Sequence, residues 1–237
     1  MISTFSHFLL WIFSVLYSQE EHFALRKLIS ILLLCSQNVW AQEPCRILSK
    51  VPDWGHVVGV LYEDSLGMRS IGTAFIISRQ NLVMACAHEV GDRKILYFST
   101  MKSDSIFRIY LKEIDTDADL ALMESPVDIS PFPPLQFASI SNISCGDSIC
   151  YICYNPINHR SLHFTTLVSL TKEMSSSGVK RCMQYIGETI PGNSGGPVLN
   201  SYGEVIGIIK GRIISNEMLT NKGCAFPIIP FENCLRN

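Results

Sequence analysis

After Gln42 the sequence is a succession of short β-branched and aromatic runs, at 56–62, 71–77, 95–98, 105–111, 120–123, 148–154, 164–170, 198–199, 205–209 and 225–229. Gly, Asn, Asp, Ser and Pro separate them at roughly 8–12-residue spacing, the pattern of strands joined by tight turns. No stretch beyond residue 42 sustains a helical apolar period over three turns. The chain is therefore expected to be all-β, a sandwich or a barrel. Residues 126–134 hold prolines at 126, 131, 133 and 134. Proline cannot donate to a ladder, so this segment is no central strand and serves best as a linker. It divides the chain beyond the N-terminal segment into two parts, 42–130 and 131–237.

Hydrophobic residues make up 47% of the 237 and charged residues 17%. That is enough to build a core and too apolar for a disordered chain. Nineteen Lys and Arg against 21 Asp and Glu leave a formal charge of −2. No basic excess exists to hold nucleic acid or an anionic membrane. No apolar run reaches the roughly 18 residues of a membrane span, which argues against a polytopic membrane protein.

The N-terminal 41 residues read as a targeting segment. Arg26 and Lys27 form a basic start, residues 28–34 an apolar core, and Val39-Trp40-Ala41 a small-x-small cleavage site. The expected consequence is export, to the periplasm or the medium, with cleavage after Ala41. The alternative is an uncleaved membrane anchor. Of the nine cysteines, eight lie beyond residue 41: Cys45, Cys86, Cys145, Cys150, Cys153, Cys182, Cys224 and Cys234. An even count in an exported chain permits disulfides, but sequence does not choose the pairing.

The chemistry concentrates in Gly192-Asn193-Ser194-Gly195-Gly196-Pro197. A serine between glycines can turn tightly, with its hydroxyl exposed and backbone N–H groups converging beside it, as an acyl-transfer nucleophile requires. The same letters fit the G-x-S-x-G elbow of α/β-hydrolases, which place their histidine after the serine. Here all six histidines (7, 22, 56, 88, 159 and 163) precede Ser194. A histidine-first order leaves His, Asp, Ser. His88 comes directly after the apolar run ending Ala85-Cys86-Ala87, and Asp119 opens Asp119-Leu120-Ala121-Leu122. Asp117 is the second choice for the acid.

On these residues the chain resembles trypsin-like serine proteases of the Deg/HtrA and glutamyl endopeptidase branches. Gly72 to Ile77 is similar to the strand two before the catalytic histidine, and Ala85-Cys86-Ala87-His88 to the histidine motif. Asp119 to Leu122 is similar to the aspartate motif, and Pro191 to Pro197 with Gly203 to Ile208 to the serine motif. Gly146-Asp147 and Asn155-Pro156 also match. The resemblance implies two β-barrels, 42–130 and 131–237, with the site between them, and a serine endopeptidase acting on protein or peptide substrates. It implies Ser194 as nucleophile, His88 as general base, Asp119 as its partner, and the N–H groups of Gly192 and Ser194 as the oxyanion hole. A catalytically silent homologue acting as a binding module is the alternative. No cofactor is called for, and no PDZ domain is expected after residue 237.

Departures from the family are informative. Asn193 stands where digestive enzymes keep an acid that pairs with a new N-terminus. Glu89, after His88, stands where those enzymes close a cysteine loop. In the specificity pocket, Thr189 matches the glutamyl endopeptidases, but their histidine falls on Ile209, and Lys210 would point to the other face of the strand. Glu188 invites a trypsin-like reading. Small or medium apolar side chains are favoured over Arg or Lys. Cys150, Cys153, His159 and His163 look like a zinc set, yet cysteines three apart on a strand face opposite sides, so no metal is expected.

Overall fold

The computed structural model describes residues 53–67, 69–77, 81–138, 143–155, 159–175, 178–187, 189–215 and 218–228. All lie within the compact unit spanning Cys45–Asn237. Expectations for residues 1–41, Pro156, Glu188 and the His159 side chain fall outside the described residues.

Twelve described strands form two closed barrels. The first contains β1 (Val58–Tyr62), β2 (Ser70–Ile76), β3 (Leu82–Cys86), β4 (Ile95–Thr100), β5 (Phe107–Asp115) and β6 (Leu120–Glu124). The second contains β7 (Ser148–Asn155), β8 (His159–Ser175), β9 (Gly178–Ile186), β10 (Pro197–Leu199), β11 (Val205–Ser215) and β12 (Met218–Pro227). Around the first barrel the order is β1-β2-β3-β6-β5-β4, and around the second β10-β11-β12-β9-β8-β7. Closure pairs the strand edges that an open sheet would leave for water or another chain. The all-β, two-barrel expectation holds. A four-residue helix, α1 (Ala87–Val90), is too short to leave a periodic trace in sequence.

Burial explains the runs. On β7, Ile149, Tyr151 and Cys153 face the core of the second barrel, while Cys150 and Ile152 join the larger cluster that includes Phe75, Met84 and Phe98 of the first. The strand is apolar on both faces because both faces are covered. Fully burying a side chain such as Phe75 or Leu61, each 0% exposed, contributes about 1.5–3 kcal/mol. The larger cluster also takes Leu199, Ile208 and Phe226 from the second barrel, so the barrels share an apolar seam.

The segment between β6 and β7 stitches that seam. Leu135 donates its N–H to Ile76 O at 3.1 Å, and Ala138 donates to Val205 O at 2.9 Å. The proline-rich stretch just before them forms no named strand. Cys182 on β9 is disulfide-bonded to Cys224 on β12, with Cα atoms 6.2 Å apart. Among the described residues Cys86, Cys145, Cys150 and Cys153 are free. No helix among the described residues is long and apolar enough to cross a membrane.

Candidate active site

The β3–β6 ladder brings His88 and Asp119 together before their side chains meet. Its last pair is Cys86 with Leu120, so the residues just beyond it, where β3 ends and β6 begins, lie opposite each other. Helix α1 starts there with N–H groups that have no partner within the helix. Asp119 supplies both acceptors: its carbonyl takes the Ala87 N–H at 3.1 Å, and its Oδ1 takes the His88 N–H at 2.9 Å. The same carboxylate then meets the ring, with His88 Nδ1 2.8 Å from Oδ2 and 3.0 Å from Oδ1. A donor on Nδ1 leaves Nε2 as the nitrogen that faces a reactant. Asp117, the second choice for the acid, is exposed in the same turn.

Ser194 is set by the second barrel and tied to the first. The β10–β11 ladder pairs Pro197 with Ile208, and beyond it Ile209 N–H donates to Gly196 O at 2.8 Å while Gly195 N–H donates to Ile209 O at 2.9 Å. Gly195 has φ +84°, and a Cβ there would overlap the carbonyl oxygen of Thr73. Only glycine meets both conditions. Across the seam, Thr73 N–H donates to Ser194 O at 2.8 Å, and its hydroxyl donates to Gly192 O at 2.7 Å while accepting the Tyr154 N–H at 2.9 Å. Thr73 is 0% exposed, so the serine loop is moored by a fully buried hydroxyl. Among the described residues the Gly192 and Ser194 N–H groups donate to no backbone carbonyl.

Two further side chains complete the site. Ser194 Oγ donates to the Lys210 carbonyl at 2.9 Å, and His88 Nε2 lies 3.2 Å from Glu89 Oε1. His88 and Ser194 are therefore each engaged by a neighbour. Glu89 fits because Gly72 leaves space: a Cβ on Gly72 would come within 3.1 Å of the Glu89 carboxyl carbon and 3.2 Å of Ser194 O. Lys210 Nζ is 3.3 Å from Asp119 Oδ2.

These contacts set the electrostatics. The hydrogen bond to Asp119, then those to Cys86 and Glu89, push His88 well above its ordinary 6.5, against the effect of burial. Burial works to raise the Asp119 carboxyl, but the bonds from His88 and the charges of His88 and Lys210 outweigh it and hold it below its usual value. Burial pushes the Cys86 thiol up, and its Sγ donates to Ile209 O at 3.3 Å. Cys86, His88 and Asp119 offer ligand atoms within 4.8 Å of one another, and each also contacts a further residue: Ile209, Glu89 and Lys210 respectively.

Residues 72–208, more than half of the chain, match the trypsin-like peptidase domain family. The chain belongs to the trypsin-like peptidase family. Its curated relatives include HtrA serine proteases and a DegP-like endoprotease, which puts it in the Deg/HtrA branch. They include the putative serine protease HhoA of Synechocystis, 30% identical over 58% of this chain and 36% of the relative. Serine protease HTRA1B of Danio rerio is 27% identical over 66% of this chain and 32% of its own. The chain thus spans about a third of the length of these relatives. Among solved structures, the HtrA-type protease AlgW with tripeptide superposes with TM-score 0.64 at 21% identity, over 77% of this chain and 60% of the other. The active form of the Rv3671c protease from M. tuberculosis superposes with TM-score 0.65 at 19% identity, covering 79% and 82%. These likenesses establish the two-barrel, chymotrypsin-like fold.

In this trypsin-like peptidase, His88, Asp119 and Ser194 come from α1, the turn before β6, and the loop before β10. Of the pocket residues, Thr189 is buried, its hydroxyl 3.2 Å from Tyr185 OH. Its carbonyl accepts from Arg212 Nε at 3.0 Å. Ile209 is 0% exposed and packs in the core of the second barrel. Cys150 and Cys153 lie in separate clusters, and His163 stacks on Tyr151 with ring centres 4.6 Å apart. Sequence reasoning did not find Thr73, Glu89 or Lys210 as site residues. The strand-face rule turned Lys210 away from Ile209 but could not say what it would meet.

Proposed function

We propose that this protein is a serine endopeptidase in which Ser194, His88 and Asp119 act as a triad. The observation that carries the reading is the Asp119–His88 pair, 2.8 Å apart, on the same barrel to which Thr73 ties the glycine-rich Ser194 loop. Ser194 Oγ attacks the scissile carbonyl, and His88 Nε2 takes its proton and returns it to the leaving amine. Water then attacks the acyl-enzyme by the same route. The Gly192 and Ser194 N–H groups hold the oxyanion, each worth about 2.7–4 kcal/mol in the transition state. Reaction requires Ser194 Oγ to rotate from the Lys210 carbonyl to Nε2, and Glu89 to release that nitrogen. Unliganded active sites commonly tighten in this way only on substrate binding.

The second reading, a silent homologue that binds without cutting, draws on that same engagement of Ser194 and His88 by other partners. A fluorophosphonate probe with mass spectrometry separates the two. Labelling at Ser194 that is lost in Ser194→Ala, with the fold intact by circular dichroism, is expected. Absence of labelling, or equal labelling of the variant, refutes the peptidase reading. The substrates are proteins or peptides. Arg212 donates to the Thr189 carbonyl and disfavours Arg or Lys beside it; the expected preference remains small or medium apolar side chains. The relatives include a probable periplasmic serine endoprotease of Halomonas elongata. With the 26–41 export pattern, this supports a periplasmic or secreted location.

A further inference from the structure

The serine chemistry leaves Lys210 unused, yet this residue touches two of the three triad members. Alternation along β11 sends Ile209 into the barrel core and Lys210 to the opposite face. There its carbonyl accepts the Ser194 hydroxyl at 2.9 Å and its ammonium lies 3.3 Å from Asp119 Oδ2. The ammonium also stands 4.2 Å from the centre of the Phe226 ring, within cation–π range. Phe226, on β12, is 6% exposed. The cation is held between a buried ring and a carboxylate.

Its effect depends on every charge around His88. From the turn before β6, Asp119 presents both oxygens to Nδ1; from α1, Glu89 presents Oε1 to Nε2. From the end of β3 the Cys86 thiol lies close by, donating to Ile209. Two carboxylates on one imidazole favour the imidazolium, and an imidazolium cannot accept the Ser194 proton. The Lys210 ammonium on Oδ2 is a positive charge that opposes them, as burial of the ring also does.

We propose that Lys210 is a positioning residue: its ammonium, fixed by β11 and Phe226, braces the Asp119 carboxylate on Nδ1 and moderates its field so that His88 can be deprotonated. Only the kinetic consequence rests on the peptidase reading.

The test is an NMR pH titration of the His88 imidazole, assigned by its absence in His88→Gln, in the wild type and in Lys210→Met, Lys210→Gln and Lys210→Arg. The ammonium is partly solvated, so loss of its charge is expected to raise the His88 midpoint by about half a pH unit. Arginine restores it. Unchanged midpoints in both neutral variants, or failure of arginine to restore, overturn the proposal. In parallel, the acid limb of kcat/KM should move with the midpoint to higher pH in the methionine variant. A uniform fall at every pH, with no displaced limb, marks a structural role and overturns it also. If the wild type does not react with the serine probe, the peptidase reading fails while the titration still decides the role of Lys210.

Discussion

Asp119 has φ +57° and is the one non-glycine residue with positive φ among those described. Aspartate tolerates this region better than branched residues, and here the conformation lets one residue serve three partners. Its carbonyl and one carboxylate oxygen cap α1, and both oxygens hold the His88 ring. Glu89 competes at the other nitrogen. In the proposed mechanism His88 must lose its proton before it can take that of Ser194, so activity should rise as pH climbs through the His88 pKa. Glu89→Gln keeps the size and removes one of the two anions that favour the imidazolium. The acid limb of kcat/KM should move to lower pH by about half to one unit, raising the rate at neutral pH. Superimposable profiles would show that Glu89 has no hold on the base. His88, Asp119 and Ser194 were legible because each sits in a short local motif. Glu89 and Lys210 were not, because their meaning lies in contacts made only when the barrels close.

Among the elements, β9 is the one the sequence concealed. Residues 178–186 mix Lys, Arg and Gln with Val, Met and Tyr, and no long apolar block announces them. Alternation is present, but the strand is defined by its neighbours: β8 on one side and β12 on the other. Strands buried on both faces, such as β7, declared themselves; strands with one partly open face depended on partners distant in sequence. The Cys182–Cys224 bridge joins β9 to β12 across a separation of 42 residues. Serine at both positions should lower unfolding free energy by about 2–4 kcal/mol, through the freer unfolded chain. Urea melts would measure it, with the m-value rising as the freer unfolded chain exposes more surface. Peptide mapping without reductant should recover the linked pair; recovery of both thiols free would remove the bridge from the account.

At the level of the molecule, maturation and activity are expected to be uncoupled. Asn193 is 2% exposed, its N–H donates to Ile190 O at 3.1 Å, and its carbonyl accepts the Gly196 N–H at 3.1 Å. Its side chain is neutral and cannot form an ion pair with a new α-amino group. Secreted protein should begin at Gln42. Forms starting there or a few residues earlier should hydrolyse a peptide at similar rates. A hundredfold loss of kcat on extension, about 2.7 kcal/mol, would show that the N-terminus orders the site after all.

The two barrels repeat one pattern. Numbered from its own first strand, each closes in the order 1-2-3-6-5-4, and each is a finished ring of hydrogen bonds. His88 and Asp119 belong to one ring and Ser194 to the other, while the seam between them is mainly apolar and crossed by the Thr73 hydrogen bonds. A chain severed among the prolines at 126–134 would leave two fragments with no broken ladder but each with a sticky face. They would behave as an obligate heterodimer whose chemistry exists only at the joint. On the proposed triad such a pair would be a split reporter: neither fragment would carry a complete centre, and turnover would register their encounter.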